Sequence, residues 1–212
     1  ERLGSLPGVE SVSLSANGPV VTSAQMSAFS IEGYTARSGE RMVTHEEVVT
    51  EEYFSTVGLK VLRGRPFGPA DRIAGSKATL INDTMARRFF AGQDPVGKRW
   101  AYDTNFANSP EAFVIIGVVE DAKYRDMRAA VPTMTYHLSR PSEDRILGDL
   151  EVRTTGTPEA FVATLRQVLA EQLEEPHRRH AGQHRRQFLV ATVEHVLRRR
   201  LHGRPHDIGG AQ

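Results

Sequence analysis

The feature that most limits the fold of this chain is an unbroken apolar run at residues 113–119, Phe-Val-Ile-Ile-Gly-Val-Val. Its seven residues have the length of a strand. A strand without polar positions is typical of one that is covered on both faces of its sheet. The run therefore predicts a β-strand deep inside a folded domain.

Shorter patterns on both sides of this run predict further elements. Weaker apolar alternation indicates strands near residues 10–16, 26–34, 41–50, 59–62, 78–81, 134–138 and 150–153. A short helix is expected to begin with Glu51 and Glu52 in its first turn and to end at Gly58. A second helix is expected after Asn82 or Asp83 as N-cap. The chain thus alternates between the two kinds of element.

The clearest helical pattern covers residues 158–173. Thr157 suits the N-cap, and Pro158 suits the first helical position, where a missing N–H costs nothing. Phe161 and Leu165 lie on the apolar face of this pattern. We therefore expect both side chains to be buried.

Length and composition set outer limits on what the chain can be. With 212 residues, of which 39% are hydrophobic, it can form one large domain or two small lobes. No run of 18 or more apolar residues occurs, so we expect no transmembrane segment in this chain. Cysteine is absent, which excludes disulfides, thiolate chemistry and cysteine-based zinc sites.

Charge divides the sequence into an acidic body and a basic end. Residues 176–212 contain eight arginines against Glu194 and Asp207, a net charge of +6, which leaves −5 for residues 1–175 out of the total of +1. Six of the eight histidines also lie in this end. We interpret residues 176–212 as a basic, poorly folded tail that binds nucleic acid only weakly and without sequence preference.

Two acidic pairs and two histidines are the candidates for chemistry in the body. We interpret Glu46 and Glu47 as strand-edge charges, and Glu51 and Glu52 as first-turn charges of the short helix. His45 and His137 each stand alone, outside any metal-binding spacing, and are expected to be surface or hydrogen-bonded histidines.

Sequence motifs for catalysis and nucleotide binding are missing. No Gly-x-Ser-x-Gly nucleophile motif occurs, and the glycines form neither a dinucleotide-binding nor a phosphate-binding loop. We therefore predict a protein that is not an enzyme, without catalytic residues, cofactor or metal site.

Five segments resemble one known family in order and spacing. They are LPGVESVSLSANGPV (6–20), VVTEEYFSTVGLKVLRGRPFGPAD (48–71), ATLINDTMARRFFAGQDPVGKRW (78–100), FVIIGVVEDAKYRDMR (113–128) and LEVRTTGTPEAFVATLRQVLAEQL (150–173). Together they resemble the MacB-like periplasmic core domain of ABC transporter permeases, most of all the acidobacterial type with duplicated halves. Residues 174–212 depart from that pattern.

The resemblance implies an α+β fold of two lobes. A porter-like lobe would consist of residues 1–67 and 147–175, and residues 68–146 would form an inserted mixed lobe. The residues that carry the family motifs are implied to be scaffold: Tyr53, Phe54, Gly58, Gly64, Arg65, Asn82, Asp94, Pro95, Gly97, Gly117 and Val118.

The resemblance also implies a function and a location. The domain would lie on the periplasmic face of the bacterial inner membrane and couple motion driven by a cytoplasmic ATPase to partners or substrates outside. Its partners would be the transmembrane part of the same permease, a separate ATPase subunit or domain, and a periplasmic adaptor or lipoprotein. The alternative is a free-standing binding module whose basic tail contacts nucleic acid or anionic membrane.

Overall fold

The computed structural model describes residues 3–18, 26–109, 111–122, 130–140 and 147–174. Within these ranges there are ten strands: β1 (Val9–Ser15), β2 (Met26–Ala28), β3 (Ser30–Ile31), β4 (Val43–Val49), β5 (Val61–Gly64), β6 (Ala78–Asn82), β7 (Arg99–Ala101), β8 (Phe113–Val119), β9 (Met134–Leu138) and β10 (Asp149–Thr154). The α-helices are α1 (Tyr53–Val57), α2 (Asp83–Phe89) and α3 (Pro158–Glu174).

All the described strands belong to one mixed sheet. Its order is β10-β1-β4-β9-β6-β8-β7-β3, with β2 pairing with β4 and β5 pairing with β8. The pairs β4–β9 and β6–β8 are parallel, and the other pairs are antiparallel. The predicted α+β class is confirmed, whereas the division into two lobes at residues 67 and 147 stays a prediction.

The apolar run at residues 113–119 forms β8, as its composition predicts. One side of β8 pairs with β6, and its other partners are β5 and β7, which bind successive parts of the strand. Ile115, Val118 and Val119 are completely buried. The strand is thus covered on both faces.

Two large apolar clusters lie on opposite faces of the sheet. One contains Tyr53 and Phe54 of α1 together with Tyr136 of β9. The other contains Met85 and Phe89 of α2 together with Trp100 of β7. Each short helix therefore covers its own face of the sheet.

Local signals set the limits of the first two helices. Asn82 accepts a hydrogen bond from the amide of Met85 at 3.0 Å and so caps α2, as predicted. Gly58 ends α1 with φ of 80°, a left-handed conformation that glycine adopts without strain. Because α1 begins at Tyr53, Glu51 and Glu52 precede the helix, and their predicted place in its first turn is wrong.

The predicted strand and helix positions otherwise differ from the structure mainly at their ends. The segment predicted at 26–34 contains two strands, β2 and β3, and the predicted strand at 59–62 begins later, at Val61. Strand β7 was not predicted because its three residues are too few for a pattern. In α3, Leu165 is buried as expected, but Phe161 is only half-buried.

Candidate functional site

Helix α1 is fixed to the sheet by two adjacent aromatic side chains. Tyr53 and Phe54 have 0% and 3% of their surface exposed. The ring of Phe54 packs edge-on against Tyr136 at 5.1 Å between centroids and stacks on Phe67 at 6.1 Å. Both side chains therefore attach α1 to the apolar cluster on this face of the sheet.

The end of α1 also contacts the last strand of the sheet. The Arg153 side chain of β10 donates from Nε to the carbonyl oxygen of Thr56 at 3.0 Å. A Cβ atom at Gly58 would lie only 2.6 Å from Nη2 of Arg153. Gly58 is therefore needed for its conformation, whereas a Cβ atom would only require the flexible end of the Arg153 side chain to shift.

Gly64 and Gly117 are opposite each other on β5 and β8. A Cβ atom at Gly64 would lie 2.2 Å from the carbonyl oxygen of Ile116, and one at Gly117 would lie 2.6 Å from that of Arg65. Distances below 3.0 Å are not seen for real Cβ atoms. The two backbones can approach this closely only because both side chains are absent.

Arg65 forms a two-bond ion pair with Asp71. Its Nη1 and Nη2 atoms donate to the carboxylate at 2.6 and 2.9 Å. The amide of Gly68 donates to the same carboxylate at 2.9 Å. The hydrogen bonds from Arg65 lower the pKa of Asp71, against the effect of its burial. The pair closes the loop that follows β5.

The side-chain amide of Asn82 makes four hydrogen bonds. Its Oδ1 accepts from the amides of Met85 and Met134, both at 3.0 Å. Its Nδ2 donates to Asp121 at 2.9 Å and to the carbonyl oxygen of Pro132 at 2.8 Å. Because every hydrogen-bonding site of this buried amide is used, Asn82 fixes the relative positions of α2, β9 and the segment after β8.

The remaining motif residues form the turn before β7 and the interior of β8. Asp94 accepts from the amide of Val96 at 3.1 Å, Pro95 is buried, and the amide of Gly97 donates to the carbonyl oxygen of Ile115 at 2.8 Å. Val118 belongs to the cluster beneath α2. Gly64, Arg65, Gly97 and Gly117 thus meet at β8, whereas Tyr53 and Phe54 belong to the apolar cluster of the opposite face.

The interpretation of Glu46 and Glu47 as strand-edge charges is wrong. Strand β4 has neighbours on both sides, and the two side chains have only 7% and 1% of their surface exposed. Oε1 of Glu47 accepts hydrogen bonds from the amides of Ala16 and Asn17 at 3.1 and 2.9 Å. Burial raises the pKa of Glu47 to about 8 despite these bonds.

A second buried carboxyl group lies next to Glu47. Glu151 of β10 accepts hydrogen bonds from the hydroxyls of Ser13 and Ser15, the first at 2.7 Å. Burial raises the pKa of Glu151 to about 7, and its charge contributes to the raised pKa of Glu47. We call Ser13, Ser15, Glu47 and Glu151 the carboxyl junction.

The two body histidines lie within the packed structure. His137 forms a hydrogen bond of 2.6 Å between Nε2 and the hydroxyl of Tyr102, so it is hydrogen-bonded as predicted. His45 is buried on β4. Across the described ranges, no three His, Asp or Glu side chains come close enough to hold a metal ion.

Sequence reasoning missed Asp71, Asp121 and Glu151. Asp121 accepts from Asn82, from the amide and hydroxyl of Thr84, and from Arg87. Its partners lie 34–39 residues away, a distance that no local pattern reveals. Asp71 had one available signal, because an acid six residues after Arg65 in a Pro-Gly-rich loop can form an ion pair.

Comparison with known sequences decides the family. The sequence model of the MacB-like periplasmic core domain matches residues 3–168, which is most of the chain. The chain belongs to this family. It is an extracytoplasmic domain of an ABC-type permease, and the predicted periplasmic location is confirmed. The closer likeness to the acidobacterial type with duplicated halves stays a prediction.

Two solved structures share the fold of this MacB-like domain. The periplasmic region of MacB from Actinobacillus actinomycetemcomitans is 15% identical with a TM-score of 0.54, and the match covers 85% of this chain and 81% of that chain. The extracellular domain of the noncanonic ABC-type transporter YknZ from Gram-positive bacteria is 19% identical with a TM-score of 0.50, covering 77% and 74%. None of the curated protein sequences matches this chain.

Membership in the family places the domain within a transporter that has a transmembrane part and an ATPase. In the described part of this MacB-like domain, no helix combines the length and the apolar character needed to cross a membrane. The family is a transporter component, which points to a role other than catalysis. The scaffold role of the eleven motif residues stays a prediction.

Proposed function

We propose that this domain couples conformational changes in the membrane part of an ABC-type permease to partners or substrates outside the membrane. In this proposal the domain has no catalytic role, and the energy comes from a cytoplasmic ATPase. An adaptor or lipoprotein on the outer side would be its partner. Membership in the MacB-like family supports a place within a permease, and the arrangement of the sheet supports the transmission of movement.

The observation that carries the proposal is the pairing of β1 with β10. The two strands run antiparallel over most of their length, and Val9 lies opposite Thr154. The chain therefore enters β1 and leaves β10 at neighbouring points. A domain inserted between two consecutive membrane segments needs this arrangement, because a displacement of those segments then acts on one edge of the sheet.

Continuity of the sheet supports transmission beyond that edge. Hydrogen-bonded neighbours connect β10 and β1 to β3 without a gap. Both faces carry closely packed aromatic side chains, including Phe54 on one and Trp100 on the other. A packed sheet of this kind transmits a displacement with little internal compression.

Hydrogen exchange on the assembled permease tests the coupling. Exchange would be measured by mass spectrometry on the whole permease with its ATPase, without nucleotide and with ATP bound to a hydrolysis-blocked ATPase. We expect the protection of β1 and β10 to change between the two states, since these strands would lie next to the moving membrane segments.

The isolated 212-residue chain is the matched control for direct nucleotide binding. Because its sequence contains no phosphate-binding loop, ATP should leave its exchange unchanged. Identical exchange of every peptide from residues 3–174 in both states of the permease would disprove the coupling. A change that ATP also produces in the isolated chain would indicate a nucleotide site instead.

The alternative function as a free-standing module depends on residues 176–212. These residues lie outside the described ranges, so the alternative is supported only by the charge of the sequence.

A further inference from the structure

The carboxyl junction lies where three strands meet on one face of the sheet. Alternation along each strand places Ser13 and Ser15 of β1, Glu47 of β4 and Glu151 of β10 on the face that α1 covers. Glu47 and Glu151 have 1% and 8% of their surface exposed. Two carboxyl groups are therefore held close together with almost no access to water.

The strands at this point are joined by few backbone contacts. Strand β1 pairs with β4 at one position only, Ser15 opposite Val49, whereas it pairs with β10 over nearly its whole length. Two backbone hydrogen bonds flank that position: the amide of Ala16 donates to Val48, and the amide of Thr50 donates to Leu14, both at 2.9 Å.

Side-chain hydrogen bonds add to this narrow connection. Glu47 binds the amides of Ala16 and Asn17, directly after β1, and Glu151 binds two hydroxyls of β1. Glu47 thus holds the end of β1 against β4, whereas Glu151 holds β10 against β1 and lies beside Glu47. The connection is strong only while the free-energy cost of burying both carboxyl groups stays small.

The charged side chains around Glu47 and Glu151 influence whether the two carboxyl groups are protonated or ionised. Among the described residues, the titratable or charged side chains on the same face around Glu47 are His45 of β4, Asp149, Glu151 and Arg153 of β10, Tyr136 of β9 and Tyr53 of α1. Arg153 donates to the carbonyl oxygen of Thr56, and the negative charge of Asp149 further raises the pKa of Glu151.

We propose that Glu47 and Glu151 form a proton-dependent latch that closes the connection between the β1–β10 pair and β4 when protonated and loosens it when both groups ionise. A second negative charge in this buried space costs free energy because water cannot screen it. Separation of the strands would admit water and relieve that cost. The inference concerns the domain itself and does not depend on the proposed coupling function.

The sign of the pH dependence follows from the raised pKa values. Both carboxyl groups have an ordinary value of 4.5, and the folded protein raises the pKa of Glu151 to about 7 and that of Glu47 to about 8. Between the ordinary pKa of 4.5 and the raised values of about 7 and 8, the folded state therefore binds more protons than the unfolded state. Stability falls as the pH rises from about 4.5 to 8.

Thermal unfolding of the whole 212-residue chain at pH 5.5 and pH 8.5 tests the latch. We expect the wild-type midpoint to be lower at pH 8.5 by about 5 °C or more. Glu47→Gln and Glu151→Gln imitate the protonated form, so each should reduce this difference, and Glu47→Gln should reduce it more because the pKa of Glu47 is raised further. Glu46→Gln removes a carboxyl group from the opposite face of β4 and is the matched control, because the effect should be specific to the junction.

Hydrogen exchange at single amides provides a local measurement on the wild-type chain. Between pH 5.5 and 8.5 the amides of Ala16 and Asn17 should lose about tenfold more protection than the amide of Val118, after correction for intrinsic exchange. A wild-type midpoint that is the same at both pH values would overturn the latch. A pH difference in midpoint that stays as large as the wild type's in both glutamine variants would overturn it too. If neither variant folds, equal losses of protection at the amides of Ala16, Asn17 and Val118 would overturn it.

Discussion

Gly64 and Gly117 are direct partners across β5 and β8, and neither position has room for a Cβ atom. Gly64 also has φ of 71°, which is unfavourable for other residues. This position therefore has two separate requirements for glycine, one conformational and one steric. A pair of variants can separate them.

Gly64→Ala should destabilise the protein more than Gly92→Ala. Gly92 has φ of 77° and no atom within 4 Å of an added Cβ, so it carries the conformational cost alone. We expect about 1–2 kcal/mol for Gly92→Ala and at least 1 kcal/mol more for Gly64→Ala. Urea unfolding measures both, and equal losses would show that β5 can move away from β8 without cost.

Asp71→Asn should lower the free energy of unfolding at pH 7 by about 1.5–3 kcal/mol, because it leaves Arg65 and the amide of Gly68 with a weaker acceptor. The lowered pKa of Asp71 stabilises the fold above the ordinary value of 3.8, and this contribution is lost as the pH falls. The difference between variant and wild type should therefore shrink in acid.

Glu51→Gln is the matched control for that ion pair. Glu51 accepts from Arg72 at 2.6 Å, its side chain is 19% exposed against 5% for Asp71, and exposed pairs contribute at most about 1 kcal/mol. Denaturant unfolding at pH 7 and pH 3.5 compares the variants. A loss for Asp71→Asn no larger than that for Glu51→Gln would contradict a structural role of the Arg65–Asp71 pair.

Leu165→Ala should cost roughly 2–5 kcal/mol, because Leu165 is the buried side chain on the described face of α3. Thr164→Ala, at the exposed neighbouring position, should change stability by less than about 0.5 kcal/mol. Urea unfolding distinguishes the two. A loss below about 0.5 kcal/mol for Leu165→Ala would mean that α3 contributes little to the core.

Removal of residues 176–212 should leave the fold of the MacB-like domain intact. The family match ends at residue 168, and both large apolar clusters consist of residues before 140. A chain of residues 1–175 should unfold cooperatively, within about 8 °C of the full chain's midpoint in calorimetry. A larger drop would show that the basic end stabilises the domain.

The basic end should account for any affinity for nucleic acid. With eight arginines it can neutralise several phosphates, so binding should weaken steeply between about 50 and 200 mM salt and show no sequence preference. Protonation of its six histidines should strengthen binding toward pH 6. Fluorescence anisotropy on residues 1–175, which carry −5, should show no binding. Retained binding would favour the free-standing module.

Strands and caps were predictable where the sequence contains a local signal. The composition of residues 113–119 predicts β8, and Asn82 predicts the start of α2, because apolar patterns and capping depend on neighbours within a few residues. These features do not depend on the order of the strands.

The carboxyl junction was not predictable for the opposite reason. Whether Glu47 lies at an edge or inside the sheet depends on β9, which is nearly 90 residues further along the chain and pairs with β4 in parallel. Glu151 reaches Ser13 across 138 residues. Sequence reasoning has no access to such pairings, so it assigned a buried acid to the surface.

The pairing of β1 with β10 also determines when the sheet can be completed during synthesis. Val9 is made early, but its partner Thr154 is made about 145 residues later. At about 5–20 residues per second, β1 waits many seconds for that partner. Contacts so distant in sequence also slow folding. If the chain emerges gradually during export, β1 is therefore unpaired and open to aggregation until β10 follows. Factors that bind extended strands would be most useful at this stage.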